Sequence, residues 1–141
     1  MSIYLDASAL LPALVEEPAS AAMDRFFSGA TDPIVVSDFA AAEVASALSR
    51  LVRTHLLEPA DALARLADFD AWRLAATQEV DIRPADVRLA NIFVRRFDLM
   101  LRAPDALHLA ICRRAGFTLA TLDKRLAHAA VELGTPLAPL G

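Results

Sequence analysis

Four acidic residues that lie far apart in the chain each stand at, or just inside, the start of a predicted helix. Hard divalent cations prefer carboxylate oxygens as ligands, and Mg²⁺ takes few of them from a protein because it keeps several waters. A ring of carboxylates without Cys or His companions therefore indicates Mg²⁺ or Mn²⁺ chemistry, with phosphate esters as the substrate class. The four residues are Asp6, Glu43, Asp105 and Asp123.

Each acid also has an ordinary structural explanation. Asp6 and Asp123 follow short apolar runs, where an aspartate is a preferred helix N-cap. Asp105 follows a proline in the first turn of its helix, where a carboxylate favours the positive end of the helix dipole. Glu43 is too far inside its helix to act as a cap. It lies either on an exposed helix edge or beside the core, where an unpaired carboxylate is costly and needs a partner or a metal.

The histidines are too scattered in the sequence to predict a zinc site. His108 comes one turn after Asp105 and either supports the acids or, as is more usual on an apolar helix, packs in the core. Cys112 is the single cysteine. Disulfide stapling is therefore excluded, and we expect Cys112 to be a small core residue in a reducing cytoplasm.

Short apolar runs alternate with helical patterns along the chain. This alternation predicts an α/β fold with a mostly parallel sheet of about five strands and helices on both faces. Ligands bind beyond the carboxyl ends of the strands in such sheets, which is where Asp6 and Asp123 fall. The predicted strands are residues 2–5, 33–36, 79–82, 117–120 and 136–137, and the predicted helices are residues 7–15, 19–27, 41–52, 59–74, 84–97, 104–115 and 124–133.

Composition and charge favour one compact domain over residues 1–141, with 56% hydrophobic residues. No segment resembles a signal peptide or a membrane span, so we expect a soluble cytoplasmic protein. The net charge of −4 is unevenly divided, since residues 1–87 carry 6 basic and 14 acidic residues whereas residues 88–141 carry 8 and 4. The basic second half is either a set of solvated helix faces or a phosphate-binding flank beside the acids. The candidates for this flank are Arg95, Arg96, Arg113, Arg114 and Arg125.

The segments around the four acids resemble the four motifs of the PIN domain family. They read IYLDASAL at residues 3–10, VSDFAAAEV at 36–44, APDALHLA at 103–110 and LATLDKRL at 119–126, and the third is the most specific. Their order, their spacing and the chain length all match, and the resemblance covers nearly the whole chain. Stand-alone PIN domains of this size resemble the VapC toxins of bacterial and archaeal toxin–antitoxin pairs.

This resemblance implies an RNase H-like three-layer α/β/α sandwich and a Mg²⁺- or Mn²⁺-dependent endoribonuclease. It also implies a homodimer and a cognate VapB-like antitoxin that covers a hydrophobic groove and the active site. Asp6 and Asp105 would be direct metal ligands, Glu43 and Asp123 would complete the acidic set, and the basic flank would hold the RNA backbone. Two polar residues, Ser8 and Thr121, would support the acids.

Two other classes of protein stay open at this point. In the first, the acids are helix caps and the domain is a non-catalytic module that docks a protein partner. In the second, the domain accepts a phosphoryl group. The dehalogenase version of that class requires a second aspartate two residues after the first, where this chain has Ser8, and the receiver version requires a further acid pair.

Overall fold

The computed structural model describes residues 1–140, which form a three-stranded parallel sheet between two layers of helices. The strands are β1 (Ile3–Leu5), β2 (Ile34–Val35) and β3 (Thr118–Ala120). The helices are α1 (Ala7–Leu10), α2 (Ser20–Gly29), α3 (Asp38–Arg53), α4 (Pro59–Ala76), α5 (Pro84–Val94), α6 (Ala103–Ala115) and α7 (Lys124–Glu132). Two single turns of 3₁₀ helix, Leu11–Ala13 and Phe97–Leu99, complete the regular structure of the described residues.

The sheet has the strand order β2–β1–β3, with Tyr4 of β1 aligned with Val35 on one side and Leu119 on the other. The prediction of five strands is wrong, because residues 79–82 pair with no strand and residues 136–137 make one bridge, at Leu137. The bridge on the other side of the sheet is at Gln78, just before the predicted segment. After Gln78 the chain is charged and mostly exposed, and Pro84 soon begins α5. At the other edge, Pro136 and Pro139 flank Leu137, and prolines donate no hydrogen bond to a ladder.

The core lies in two layers because side chains alternate along a strand. Tyr4 points to the layer that contains Leu109 of α6 and Leu126 of α7. Leu5 points to the opposite layer, with Leu10 of α1 among its neighbours. The predicted three-layer α/β/α arrangement is therefore confirmed, and no helix of the described part of the chain is both long and apolar enough to cross a membrane.

Most helices lie close to their predicted bounds, and two of them end early. The predicted helix at residues 7–15 is α1 followed by a 3₁₀ turn with Pro12 in its first residues. The predicted helix at residues 84–97 stops at Val94, and the chain then turns through Met100 in the left-handed region (φ 51°). This turn leads into α6, whose end is capped by Gly116 at φ 73°.

Candidate active site

Asp6 stands directly after β1 and is buried, with 5% of its surface exposed. It is the N-cap of α1, and its carboxylate accepts hydrogen bonds from the Ala9 backbone N–H (3.3 Å), the Ser8 hydroxyl (2.8 Å) and the Thr121 hydroxyl (2.9 Å). Burial raises the pKa of Asp6, whereas these hydrogen bonds lower it, and the effect of burial is the larger. The folded protein therefore holds a carboxylate that is poorly solvated and well supplied with donors.

Ser8 in α1 and Thr121 in the loop after β3 join the segments that follow the two strands. Their hydroxyl oxygens are 3.1 Å apart. The Ser8 oxygen accepts the Leu122 backbone N–H at 2.9 Å, and the Thr121 oxygen accepts the Asp123 backbone N–H at 3.1 Å. The two hydroxyls thus link Asp6 to the backbone that leads into Asp123.

Asp105 and Asp123 stand at the starts of α6 and α7. Asp105 is buried in the first turn of α6, with its Oδ2 3.8 Å from Nε of Arg102. Burial raises the pKa of Asp105, and the negative charge of Asp123 raises it further, whereas Arg102 lowers it. Asp123 is the N-cap of α7 and accepts the backbone N–H groups of Arg125 and Leu126 at 2.9 and 3.1 Å.

Glu43 lies in the second turn of α3, with 29% of its side chain exposed. Its Oε1 is 2.5 Å from Nε2 of His108, a residue that is only 1% exposed. The other ring nitrogen of His108 is 2.6 Å from the Tyr4 hydroxyl, which is 2.8 Å from the Ser37 hydroxyl. Burial is the main cause that raises the pKa of Tyr4 far above its usual range, so this phenol stays protonated.

Sequence reasoning favoured a packed histidine at position 108, and the structure shows one that is packed and also bonded to an acid. The roles of Tyr4 and Ser37 were missed altogether. The sequence feature that could have indicated them is Tyr4, because it is the single residue of the buried strand β1 with a polar group in its side chain. Such a group needs a hydrogen-bond partner when it is buried.

The acidic donor set suits a hard divalent ion, although the carboxylates do not close around a single point. Within residues 1–140, no three Asp, Glu, His or Cys side chains stand close enough together to hold one ion. Three carboxylates are instead engaged by their own donors, which are hydroxyls at Asp6, an imidazole at Glu43 and backbone N–H groups at Asp123. Mg²⁺ fits this arrangement because it keeps several waters and needs only one or two direct carboxylate ligands.

Four of the five predicted phosphate-binding arginines have other partners. Arg114 pairs with buried Asp86 at 2.6 Å, and Arg96 pairs with Asp98 at 2.9 Å. Arg113 stacks over a phenylalanine ring and donates to the Leu133 carbonyl. Arg95 donates to Asn91 at 3.2 Å. Arg125 is exposed and touches the acids only through its backbone N–H on Asp123.

A second group of arginines lies beside the acids, and of these only Arg102 belongs to the basic second half that was predicted to bind phosphate. A groove of about 760 Å³ runs along α3 from Glu43, and Arg50, Arg53 and Arg102 lie along it. Arg50 follows Glu43 by seven residues, which places both on one face of the helix. This spacing is the feature of the sequence from which an arginine on the same helix face as Glu43 could have been predicted. Arg102 reaches the groove from the residue before α6 and also lies near Asp105.

Comparison with known proteins agrees with this architecture. The family model described as the PIN domain matches residues 3–132. A curated relative, ribonuclease VapC46 of Mycobacterium tuberculosis (strain ATCC 25618 / H37Rv), is 33% identical over 136 residues, which are 94% of this chain and 93% of the relative. The chain therefore belongs to the PIN domain family.

Solved structures share the fold at low sequence identity. VapC20 of Mycobacterium tuberculosis, described as a Sarcin-Ricin loop cleaving toxin, superposes with a TM-score of 0.72 at 18% identity, over 90% of this chain and 94% of its own. VapBC2 of Rickettsia felis, bound to a DNA fragment from their promoter, gives a TM-score of 0.70 at 15% identity and covers 98% of each chain. These likenesses confirm the predicted fold.

Proposed function

We propose that this chain is a Mg²⁺- or Mn²⁺-dependent endoribonuclease and the toxin of a VapBC-type toxin–antitoxin pair, acting as a single PIN domain. The observation that carries the proposal is that Asp6 and Asp123 follow adjacent parallel strands at one edge of the sheet, with the charges of Asp123 and Glu43 acting on Asp105, in a chain that is 33% identical to ribonuclease VapC46. Two of these acids, Asp6 and Asp105, are buried.

The buried pair would hold the ion directly, and Glu43 and Asp123 would hold it directly or through water. A bound divalent ion supplies a water of lowered pKa and stabilises negative charge on phosphoryl oxygens. Ser8 and Thr121 fix the Asp6 carboxylate through their hydroxyls. Because water rather than a 2′-hydroxyl is the nucleophile, RNA products should carry 5′-phosphate ends. Cyclic-phosphate ends would contradict this mechanism.

The RNA backbone would run through the groove along α3, which begins at Glu43 and carries Arg50, Arg53 and Arg102. Support comes from their exposure, since Arg50 and Arg53 can meet phosphates without first losing a buried partner. Arg102 is also exposed, and its Nε lies 3.8 Å from the carboxylate of buried Asp105. The five arginines of the second half would form an outer flank. Arg125 is the nearest of them to the acids, because its backbone N–H bonds Asp123.

The antitoxin would cover a second, apolar groove of about 270 Å³ that lies between α1, α2 and α4. Its walls include Leu10, Leu14, Phe27, Phe69 and Trp72, and Arg65 lies at its edge. Leu10 closes the short helix that Asp6 caps, so a peptide seated here would lie near the acids. Solved relatives of this fold include a VapBC2 complex and a toxin–antitoxin complex from Klebsiella pneumoniae.

The proposal includes a homodimer, which the oligomeric mass in solution would test. Co-expression with any short reading frame that adjoins the gene would test the antitoxin. Trp72→Ala should weaken a complex that uses the apolar groove and leave the metal site intact. Arg25→Ala, an exposed change on the outer part of α2, is the matched control.

The alternative of a non-catalytic binding module has one observation in its favour, because Asp6 and Asp123 do cap α1 and α7. Capping does not account for Asp105, which lies inside the first turn of α6, or for Glu43 in the second turn of α3. A helix cap is also normally solvated, whereas Asp6 is buried and its pKa is raised by burial.

The deciding experiment is cleavage of total cellular RNA by the purified protein, with Mn²⁺ compared with EDTA. Discrete metal-dependent fragments should disappear in Asp6→Asn and Asp105→Asn and persist in Asp24→Asn, which changes an exposed acid on α2. If folded protein that binds Mn²⁺ cuts none of a broad set of RNAs, the nuclease proposal fails and the binding module replaces it.

A further inference from the structure

A buried chain of hydrogen bonds connects the three elements that carry Asp6, Glu43 and Asp105. It begins at Ser37, the N-cap of α3, passes through Tyr4 on β1 and His108 on α6, and ends at Glu43 on α3. Tyr4 is fully buried, and both ring nitrogens of His108 have partners. The chain therefore fixes β1, α3 and α6 against one another beside the acids.

The direction of this chain follows from counting its protons. The backbone N–H of Ala40 donates to the Ser37 oxygen, so the Ser37 proton is free to point to Tyr4. Tyr4 then donates to Nδ1 of His108, and Nε2–H donates to Glu43. The reverse direction would leave the Ser37 proton without an acceptor anywhere in residues 1–140. Only the forward direction satisfies every group, and it requires a neutral imidazole with its proton on Nε2.

Glu43 needs such a support more than the two capping acids, Asp6 and Asp123, do. Asp6 and Asp123 are held by backbone N–H groups as helix caps, and their side chains are short. Glu43 has a longer side chain with more rotamers, and among the described residues His108 is its single hydrogen-bond donor. Ordering such a side chain costs conformational entropy. Because a fixed donor orders the side chain before any ligand binds, that entropy is not lost on binding.

We infer that His108, held in one tautomer by Tyr4, is a positioning residue that aims the Glu43 carboxylate at the acidic site. This inference rests on the proposed function, since it assigns to His108 and Tyr4 a part in preparing that site for a divalent ion. Neither residue would touch the ion. Partners of this kind, one step removed from a metal, typically change metal affinity by about 10- to 100-fold.

The first test is Mn²⁺ affinity, measured by calorimetry in the absence of RNA. His108→Leu should weaken binding about 10-fold or more, because Glu43 loses its donor. Tyr4→Phe, which removes one hydroxyl and keeps the ring packing, should weaken it by less. His108→Gln should recover part of the loss, because its amide N–H can donate to Glu43. Unchanged Mn²⁺ affinity in both Tyr4→Phe and His108→Leu would overturn the inference.

A double-mutant cycle separates positioning from a loss of packing. In a Glu43→Gln background the carboxylate that His108 would aim is gone, so His108→Leu should cause no further loss of Mn²⁺ affinity. An equal loss in both backgrounds would mean that His108 acts through the stability of the fold, and it would overturn the inference. Melting temperatures in EDTA serve as the measure of fold stability for each variant.

Nitrogen NMR of the metal-free protein gives a readout that does not depend on the proposed activity. Long-range proton–nitrogen correlations should show His108 as a neutral ring with its proton on Nε2, and Tyr4→Phe should loosen this preference. A ring with its proton on Nδ1 would contradict the inference even if the protein proves to be a metal nuclease. If the protein binds no Mn²⁺, the proposed function fails, and with it the positioning role, whatever the tautomer.

Discussion

The Thr121 hydroxyl donates a hydrogen bond of 2.9 Å to Asp6 across 115 positions of the chain. The two residues meet because β1 and β3 are adjacent parallel strands that end at the same edge of the sheet. Asp6 is therefore held by donors from two separate segments, helix α1 and the loop after β3, while it is buried. The hydrogen-bond donors favour the charged form of the Asp6 carboxylate, whereas burial opposes it. The ionisation of Asp6 should therefore change the stability of the protein with pH.

The first prediction concerns pH and the metal-free protein. Burial raises the pKa of both Asp6 and Asp105. Stability falls with rising pH wherever the folded state binds more protons than the unfolded state. The favourable contribution of these groups is thus complete below the ordinary aspartate pKa of about 3.9 and is lost as the pH rises through their folded values.

Asp6→Asn should therefore stabilise the metal-free protein at neutral pH. The amide keeps an oxygen for Ala9 and Ser8 and gives a donor to Thr121. We expect a gain of about 1 kcal/mol, or about 3–5 °C in melting temperature, at pH 7 and little difference near pH 3.5. Thermal unfolding in EDTA from pH 3.5 to 8 measures this. A lower melting temperature of the variant at neutral pH, but not near pH 3.5, would show that the hydrogen bonds to the charged form outweigh its burial.

The second prediction is that Mn²⁺ raises the melting temperature of the wild-type protein. Clustered carboxylates repel one another, and an ion that binds only the folded state stabilises it by about 2.7 kcal/mol at 100 times its dissociation constant. That corresponds to roughly 8–10 °C for a chain of this size. Because Asp105→Asn also changes the metal-free protein, the quantity to compare is the shift caused by Mn²⁺. The shift should be lost in Asp105→Asn and kept in Asp24→Asn, and no shift at saturating Mn²⁺ in the wild type would contradict the metal site.

The sequence was sufficient to predict the strand–helix junctions that hold the acids. Asp6 and Asp123 come directly after apolar runs, and an aspartate that caps a helix after a short strand is a local pattern. The edge of the sheet was not predictable in the same way. Residues 79–82 have a strand-like pattern, but Asp81 accepts a hydrogen bond from Arg114 through its carbonyl, and this contact comes from a helix more than thirty positions away.

The contacts of His108 were hidden for a similar reason. Its distance from Glu43 is 65 positions, so the contact depends on how α6 packs against α3. No local pattern encodes that packing. Arg114 likewise reads as a surface charge in the sequence because its partner, Asp86, lies 28 positions earlier in a different helix.

The third prediction concerns this ion pair, which we expect to support the fold rather than the substrate. Asp86 is almost fully buried, and burial alone would raise its pKa. Hydrogen bonds from Arg114 and from the Arg83 backbone outweigh burial, so the pKa of Asp86 lies below its ordinary value. The stability that this pair contributes is present above the unfolded pKa and is lost as the pH falls through the lower folded value.

Arg114→Ala should lower the free energy of unfolding by about 3 kcal/mol, because it leaves Asp86 buried without its partner. Arg96→Ala removes an arginine from an exposed pair with Asp98 and should cost far less, because solvent screens that pair. Urea unfolding at pH 7 compares the two variants. Equal costs would show that water reaches Asp86 and takes the place of the guanidinium.

The last prediction distinguishes the two basic surfaces that could hold RNA. Binding of a single-stranded RNA is measured in EDTA, to prevent cleavage, as a function of salt concentration. Each lost phosphate contact should reduce the slope of log affinity against log salt by about 0.7.

Arg50→Ala and Arg102→Ala should each produce that change, because both side chains lie along the groove that begins at Glu43. Arg95→Ala, on the outer flank, should change the slope by less, since Arg95 is engaged by Asn91. Arg25→Ala should leave the slope unchanged, since Arg25 lies on α2. A reduced slope in Arg95→Ala with no change in Arg50→Ala would place the RNA on the basic flank of the second half instead.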